Sequence, residues 1–228
     1  MNEDVWNRVD DYFCGMLLPA DEVLDAAAAA SDAAGIPSIQ VAPNQGMLLH
    51  LLAAAQGART ILEIGTLSGY STIWLARALP HGGRLVTLEI DPLHAEVARG
   101  NFERAGLSEV VELRLGPALE TLPQLAAEGL GPFDLIFIDA DKANIPAYFT
   151  WALRLARRGT MIIVDNVVRD GEVVDAQSDD AAVQGVRRFV EMAAAEPRVK
   201  ATVVQTVGVK GYDGLAFVLV TEDAPESA

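Results

Sequence analysis

Two short segments of this 228-residue chain place oxygen donors directly after apolar runs. Residues 133–138 lead into Asp139-Ala-Asp141-Lys142, and residues 161–164 lead into Asp165-Asn166. Open parallel sheets bind ligands beyond the carboxyl ends of their strands. If the two runs are neighbouring strands, about 4.8 Å apart, Asp139 and Asp165 stand side by side with Asn166 one residue on. Two carboxylates and an amide oxygen form a hard donor set that suits Mg²⁺, Mn²⁺ or Ca²⁺. Without a cation the carboxylates repel and one of them takes up a proton. Either aspartate alone reads as the cap of a turn or helix. The pair, with Asn166 and Lys142 beside it, reads as a metal site. Lys142 is a candidate proton acceptor if cation and burial depress its pKa, the alternative being a solvated lysine at a helix start.

A second constellation follows the run at 60–64, in Glu63-Ile-Gly65-Thr66-Leu-Ser-Gly69-Tyr-Ser71. Glycines at a strand-to-helix turn let backbone amides approach a ligand near the helix N-terminus. Glu89 lies 20 residues beyond Gly69, at the end of the next run, where a carboxylate can accept both hydroxyls of a ribose. A nucleoside-containing cofactor is therefore expected. Leu67 stands where a dinucleotide fingerprint needs its second glycine. Glu63 would repel a pyrophosphate, whereas it would attract an ammonium and a sulfonium. On these residues alone an NAD-dependent oxidoreductase remains the runner-up.

The elements that must carry these groups are legible as a rhythm. Apolar, β-branched runs occur at 60–64, 84–90, 110–115, 133–139 and 161–165. Their spacing of about 25 residues is the length of a strand, a helix and two turns. Helices are expected at 71–79, 92–105 and 145–156, the last two with proline in the first turn. Runs such as Leu135-Ile-Phe-Ile138 are apolar throughout, as in a parallel sheet covered on both faces. The expected fold is α/β, a doubly wound, mostly parallel seven-stranded sheet. Segments 201–207 and 215–220, joined by 208–214, predict an antiparallel hairpin at its end. Three further helices, at 5–17, 21–34 and 43–55, precede the sheet and are expected to cover the ligand site or a subunit contact. One domain over 1–228 results, with residues 1–38 as a helical extension. The acidic stretch 167–181, leaving the strand that bears Asp165, is expected to form a mobile flap.

Composition narrows the partners. Asp and Glu number 32 against 17 Lys and Arg, a net charge of −15. Nucleic acids and anionic membranes attract basic faces, so neither is an expected partner. A lone cysteine, Cys14, excludes an internal disulfide framework or a cysteine-rich zinc site and reads as a buried, inert thiol. No apolar stretch approaches the roughly 20 residues of a membrane span, and the first residues lack a signal-like apolar core, so the cytoplasm is the expected address. His50, His81 and His94 all fall off the expected ligand edge, which calls for a mechanism without histidine.

Glu63-x-Gly65-x-x-x-Gly69 resembles motif I of class I S-adenosylmethionine (SAM)-dependent methyltransferases. With Asp139-Ala-Asp-Lys142 and Asp165-Asn166 behind it, the chain resembles the cation-dependent O-methyltransferases, the family of catechol and caffeoyl-CoA O-methyltransferases, from about residue 39 to 220. The Asp139 motif is nearer the caffeoyl-CoA and bacterial branch. The resemblance implies a Rossmann-like methyltransferase fold, SAM as methyl donor, Mg²⁺ as cation, a catechol-like acceptor and a homodimer. It implies metal ligation by Asp139, Asp165 and Asn166, with Lys142 and Asp139 at the chemistry. It implies cofactor contacts at Val41, Glu63, Gly65, Thr66, Gly69, Ser71, Glu89, Ala118, Asp139 and Asp141, with Gly116-Pro-Ala-Leu119 beside the adenine. Val41 and Ala42 stand where plant members carry hydroxyl residues, and Arg169 where they carry tryptophan. A non-catalytic SAM-binding protein is the third reading, and it gives no reason for the intact acidic cluster.

Overall fold

Burial on both faces selects the central strands. In the computed structural model, which describes residues 3–224, the sheet comprises β1 (Thr60–Ile64), β2 (Arg84–Glu89), β3 (Val111–Leu115), β4 (Phe133–Ile138), β5 (Ala156–Asp165), β6 (Val199–Gly208) and β7 (Gly211–Val220). Their order is β3-β2-β1-β4-β5-β7-β6. The first five strands run parallel, and β7 is antiparallel to both of its neighbours. Every residue of β4 is buried, the apolar run Leu135–Ile138 by its character and Asp134 because the Arg59 and Thr60 amides and Arg157 satisfy its carboxylate.

Helices α1 (Glu3–Leu17), α2 (Glu22–Ala33), α3 (Pro43–Gln56), α4 (Tyr70–Ala76), α5 (Pro92–Arg104), α6 (Ala118–Ala127), α7 (Ile145–Arg154) and α8 (Ala181–Ala195) surround it. Leu122, Phe149 and Phe189 bring α6, α7 and α8 onto one face of the sheet. Leu24, Leu49, Trp74 and Phe102 bring α2 to α5 onto the other. Helix α1 buries none of its residues. The strands of the expected doubly wound sheet and the C-terminal hairpin are all present, and the outermost residues of the 1–228 domain fall outside the described span.

Several boundaries differ from the sequence reading. Strand β5 begins at Ala156, not at 161, because Ala156 pairs with Phe133 across β4. The preceding helix therefore stops at Arg154. The hairpin connection shrinks from seven residues to Val209 and Lys210, since pairing continues to Gly208 opposite Gly211. Gly211 supplies the positive φ of 85° that this turn needs. Helix α6 fills the segment between β3 and β4, where the rhythm expects a helix without bounds, and carries Pro123 within it, whereas α8 occupies a segment for which the sequence suggested no helix. The segment after β5, expected as a mobile flap, starts with buried Val167 and Val168, coils through a 3₁₀ turn at Arg169–Val174 and is exposed over 174–177. Cys14 is half-buried, not fully enclosed.

Candidate functional site

Between β1 and β4 the strand order reverses, so the loops after these strands diverge and leave a crevice. A cavity of about 1110 Å³ opens there. Gly65 forms the seam. Its φ is +100°, and a Cβ built on it would fall 2.1 Å from the carbonyl oxygen of Asp139. The Asp139 amide in turn donates to the Ile64 carbonyl at 2.9 Å. Only glycine permits so close an approach, so the turn after β1 and the acidic end of β4 are in direct backbone contact. Gly69 has a different task. A Cβ there would meet Phe102 at 2.4 Å, and the residue does not line the cavity.

Glu63 is fully buried beneath the turn and also lies off the cavity surface. Ser71 and Thr87 donate hydroxyl hydrogen bonds to it at 2.7 Å, and Thr72 donates a third. Burial pushes its pKa up to about 7, against the pull of these three donors, and the Asp139 charge adds to the rise. Glu89 does line the cavity. Its Oε2 accepts the Leu67 amide at 2.7 Å and the Thr66 amide at 3.2 Å, while Oε1 accepts those of Ile90 and Asp91 at 3.0 and 2.9 Å. The carboxylate thus clamps the glycine turn to the end of β2.

Ile138 pairs with Val164, which brings Asp139 and Asp165 to the same edge. Asp165 is 4% exposed, and its Oδ1 accepts the Asn166 amide at 2.7 Å. Burial, followed by the facing Asp139 charge, raises its pKa to about 7, while Lys142 pulls it down. Asn166 takes a left-handed backbone with φ of 56°, tolerated by asparagine better than by most residues, and lies on the cavity wall. Lys142 is not solvated. Its Nζ donates to Asp139 Oδ1 at 2.7 Å, and its side chain is 11% exposed. Asp141 accepts from Asn144 at 2.7 Å and from the Tyr148 hydroxyl. Burial and this carboxylate together raise the Tyr148 pKa.

The remaining sequence candidates converge on the same cavity. Gly65, Thr66 and Ser71 line it on the β1 side, with Ala118 at the start of α6 and Val41 ahead of α3. Gln45 fixes the Val41 segment by accepting the Ala42 amide at 3.1 Å. Asp139, Asp141, Lys142, Asp165 and Asn166 line the other side. Among the described residues no three His, Cys, Asp or Glu side chains converge as a metal set. The candidate centre is therefore two carboxylates completed by an amide.

Sequence reasoning missed several lining residues. His94 lies on the cavity wall, contrary to its expected place off the ligand edge, with Nδ1 3.5 Å from Glu89 Oε1. It gets there because Asp91 caps α5, accepting the Leu93 amide at 2.8 Å, and turns that first helical turn inward. Asp10 arrives from α1, accepting from Asn44 at 2.9 Å and from the Val209 amide at 3.0 Å. Arg169 and Lys210 complete the outer wall. Asp91 was a local signal for His94, and Arg169 stood out by its place where plant members carry tryptophan; Asp10 and Lys210 had neither.

Known proteins share this architecture. A family profile described as O-methyltransferase matches residues 20–219. The protein named catechol O-methyltransferase of Niastella koreensis is 55% identical over 220 residues, which cover 96% of this chain and 100% of the relative. An O-methyltransferase from Bacillus cereus, solved in complex with SAH, superposes with a TM-score of 0.96 at 56% identity, covering 96% of this chain and 100% of that one. The O-methyltransferase TomG from Streptomyces achromogenes, solved with SAM, gives 0.94 at 52% identity over 97% and 99% of the two chains. This chain belongs to the O-methyltransferase family. It is a SAM-dependent enzyme that transfers methyl groups to oxygen.

Proposed function

We propose that this O-methyltransferase depends on a divalent cation, Mg²⁺ foremost, and methylates one hydroxyl of a catechol-like acceptor. The observation that carries the reading is the pairing of buried Asp165 with Asp139 and Asn166 at one edge of the cavity. Two facing carboxylates that hold one another's charge in check are a donor set short of a cation, and all-oxygen donors suit Mg²⁺. Relatives named catechol O-methyltransferase at 55% and 56% identity support the acceptor class.

SAM supplies an electrophilic methyl, and in-line transfer requires an oxyanion. A phenol of pKa about 10 is mostly protonated at pH 7, and neutrality requires about 4 kcal/mol of anion stabilisation. A bound divalent cation supplies this as a Lewis acid. Asp139, Asp165 and Asn166 would hold it. Lys142, tethered to Asp139, is placed to hold or move the acceptor proton at Nζ. Gly65, Thr66, Ser71, Glu89, Ala118 and Val41 form the cofactor wall, and Asp141 is fixed by Tyr148 beside it. Glu63 acts from beneath, ordering Ser71 and Thr72 at the start of α4.

The test is methyl transfer to catechol by chelator-treated enzyme, with and without added Mg²⁺. Rates should fall at least about tenfold on metal removal and recover on addition. An undiminished rate in chelator would overturn the reading. A homodimer belongs to the same proposal, supported by exposed Tyr12, Phe13, Met16 and Leu17 on α1. Sedimentation at micromolar concentration tests it. No described helix is long and apolar enough to cross a membrane. We read the partner as a small phenolic molecule, with no nucleic acid or membrane, in the cytoplasm.

A further inference from the structure

We propose that the preferred acceptor is an anionic catechol, one whose ring bears a carboxylate, received by the Arg169 guanidinium with Lys210 reinforcing the positive field. The inference rests on the catechol reading above and adds the charge of the acceptor.

Most acidic groups along the cavity are engaged; Asp165 faces the cation site, and Asp170 makes no side-chain hydrogen bond or ion pair among the described residues. Asp213 Oδ1 accepts the amides of Val168, Arg169 and Gly214 at 2.9, 3.1 and 2.9 Å. Asp10 and Asp141 are held by neutral donors, as described, and Asp139 pairs with Lys142. The two other cavity cations differ. Among the described residues neither Arg169 nor Lys210 forms an ion pair, although the chain carries 15 more acidic than basic groups. Arg169 Nε is buried and makes no hydrogen bond. The terminal guanidinium nitrogens likewise donate to no protein acceptor among the described residues, and they, not the enclosed Nε, are left for a ligand carboxylate. Lys210 donates only to the Ser38 carbonyl, at 2.9 Å.

The backbone holds Arg169 in place despite its conformation. Arg169 and Asp170 are consecutive non-glycine residues with φ of 55° each. Their left-handed turn is pinned by Asp213 and by the Gly171 amide donating to Val168 at 3.0 Å. Sparsely populated conformations of this kind, when over-determined by their surroundings, gather at ligand clamps. Arg169 lies three residues past Asn166 and lines the same cavity, so a ring chelated at the acidic edge would present its substituents to this wall. Planar guanidinium against carboxylate is the favoured bidentate pairing.

Steady-state kinetics with 3,4-dihydroxybenzoate and the neutral 3,4-dihydroxybenzyl alcohol, both with Mg²⁺, test the inference. The wild type should favour the acid by about tenfold or more in kcat/KM, chiefly through KM. That preference should shrink as NaCl is raised, because it is carried by charge. Arg169→Met should lower kcat/KM for the acid far more than for the alcohol, with Arg169→Lys recovering part of the loss. Lys210→Met should give a smaller change in the same direction. Equal kcat/KM for the two acceptors in the wild type, unaffected by salt, would overturn the inference while leaving the catechol reading intact. Methylation of neither acceptor would remove both.

Discussion

Replacing Glu63 with glutamine turns a buried titration into a measurable slope of stability against pH. The folded-state pKa of Glu63 is about 7, against an ordinary value of 4.5. The native protein therefore holds a proton through that window which the unfolded chain has released. Stability from this group is complete below pH 4.5 and lost as pH rises through 7. At about 1.36 kcal/mol per unit the full span is about 3 kcal/mol, of which about 2 kcal/mol falls between pH 5 and 8. The side chain is wholly buried, so solvent screening does not erode the figure. Glu63→Gln keeps the shape and removes the titration, with Oε1 accepting on one side and Nε2 donating to hydroxyls that turn to accept on the other. Urea unfolding of both proteins at pH 5, 6, 7 and 8 isolates the effect, because Asp165 contributes equally to each. The wild-type-minus-variant difference should move against the wild type by about 2 kcal/mol across that range. A difference that stays constant with pH would refute the reasoning.

Other expectations follow from the same geometry. Gly65→Ala forces a Cβ to 2.1 Å from the Asp139 carbonyl at positive φ, and should cost about 3 kcal/mol by urea unfolding. It should also weaken SAH and Mg²⁺ binding together in calorimetry, since one seam serves both. Asp165→Asn should lower Mg²⁺ affinity at least about tenfold in titration calorimetry while SAH affinity changes little. Asp10→Ala removes two hydrogen bonds that tie α1 to α3 and to the β6–β7 turn, a loss of about 1–2 kcal/mol. Hydrogen exchange at the Val209 amide should accelerate while the β4 amides stay protected.

How much of this the sequence disclosed depends on the reach of the interactions. The acids at the ends of β4 and β5 were legible because apolar parallel strands deliver whatever follows them to one edge. Gly65, Thr66, Ser71 and Glu89 were legible by the same logic at β1 and β2. Glu63 and Gly69 have the expected spacing yet stand behind the wall, because one satisfies hydroxyls under the turn and the other makes room for Phe102. His94 depends on a cap three residues away, whereas Arg169 is held by Asp213, 44 positions on. Asp10 is joined to Val209 across 199 positions, a separation that no local pattern encodes. The strand rhythm implied a helix between β3 and β4, but not the bounds of α6, which runs on through Pro123.

The grip of Asp10 gives the front of the chain an influence out of proportion to its packing. Helix α1 has no buried residue, so little besides its own polar anchors keeps it seated. A protein trimmed to begin after residue 38 would retain every motif acid and glycine and still lose one side of the entrance. Cargo fused ahead of residue 3 would tug on that same anchor, and turnover would register the strain before the melting temperature did.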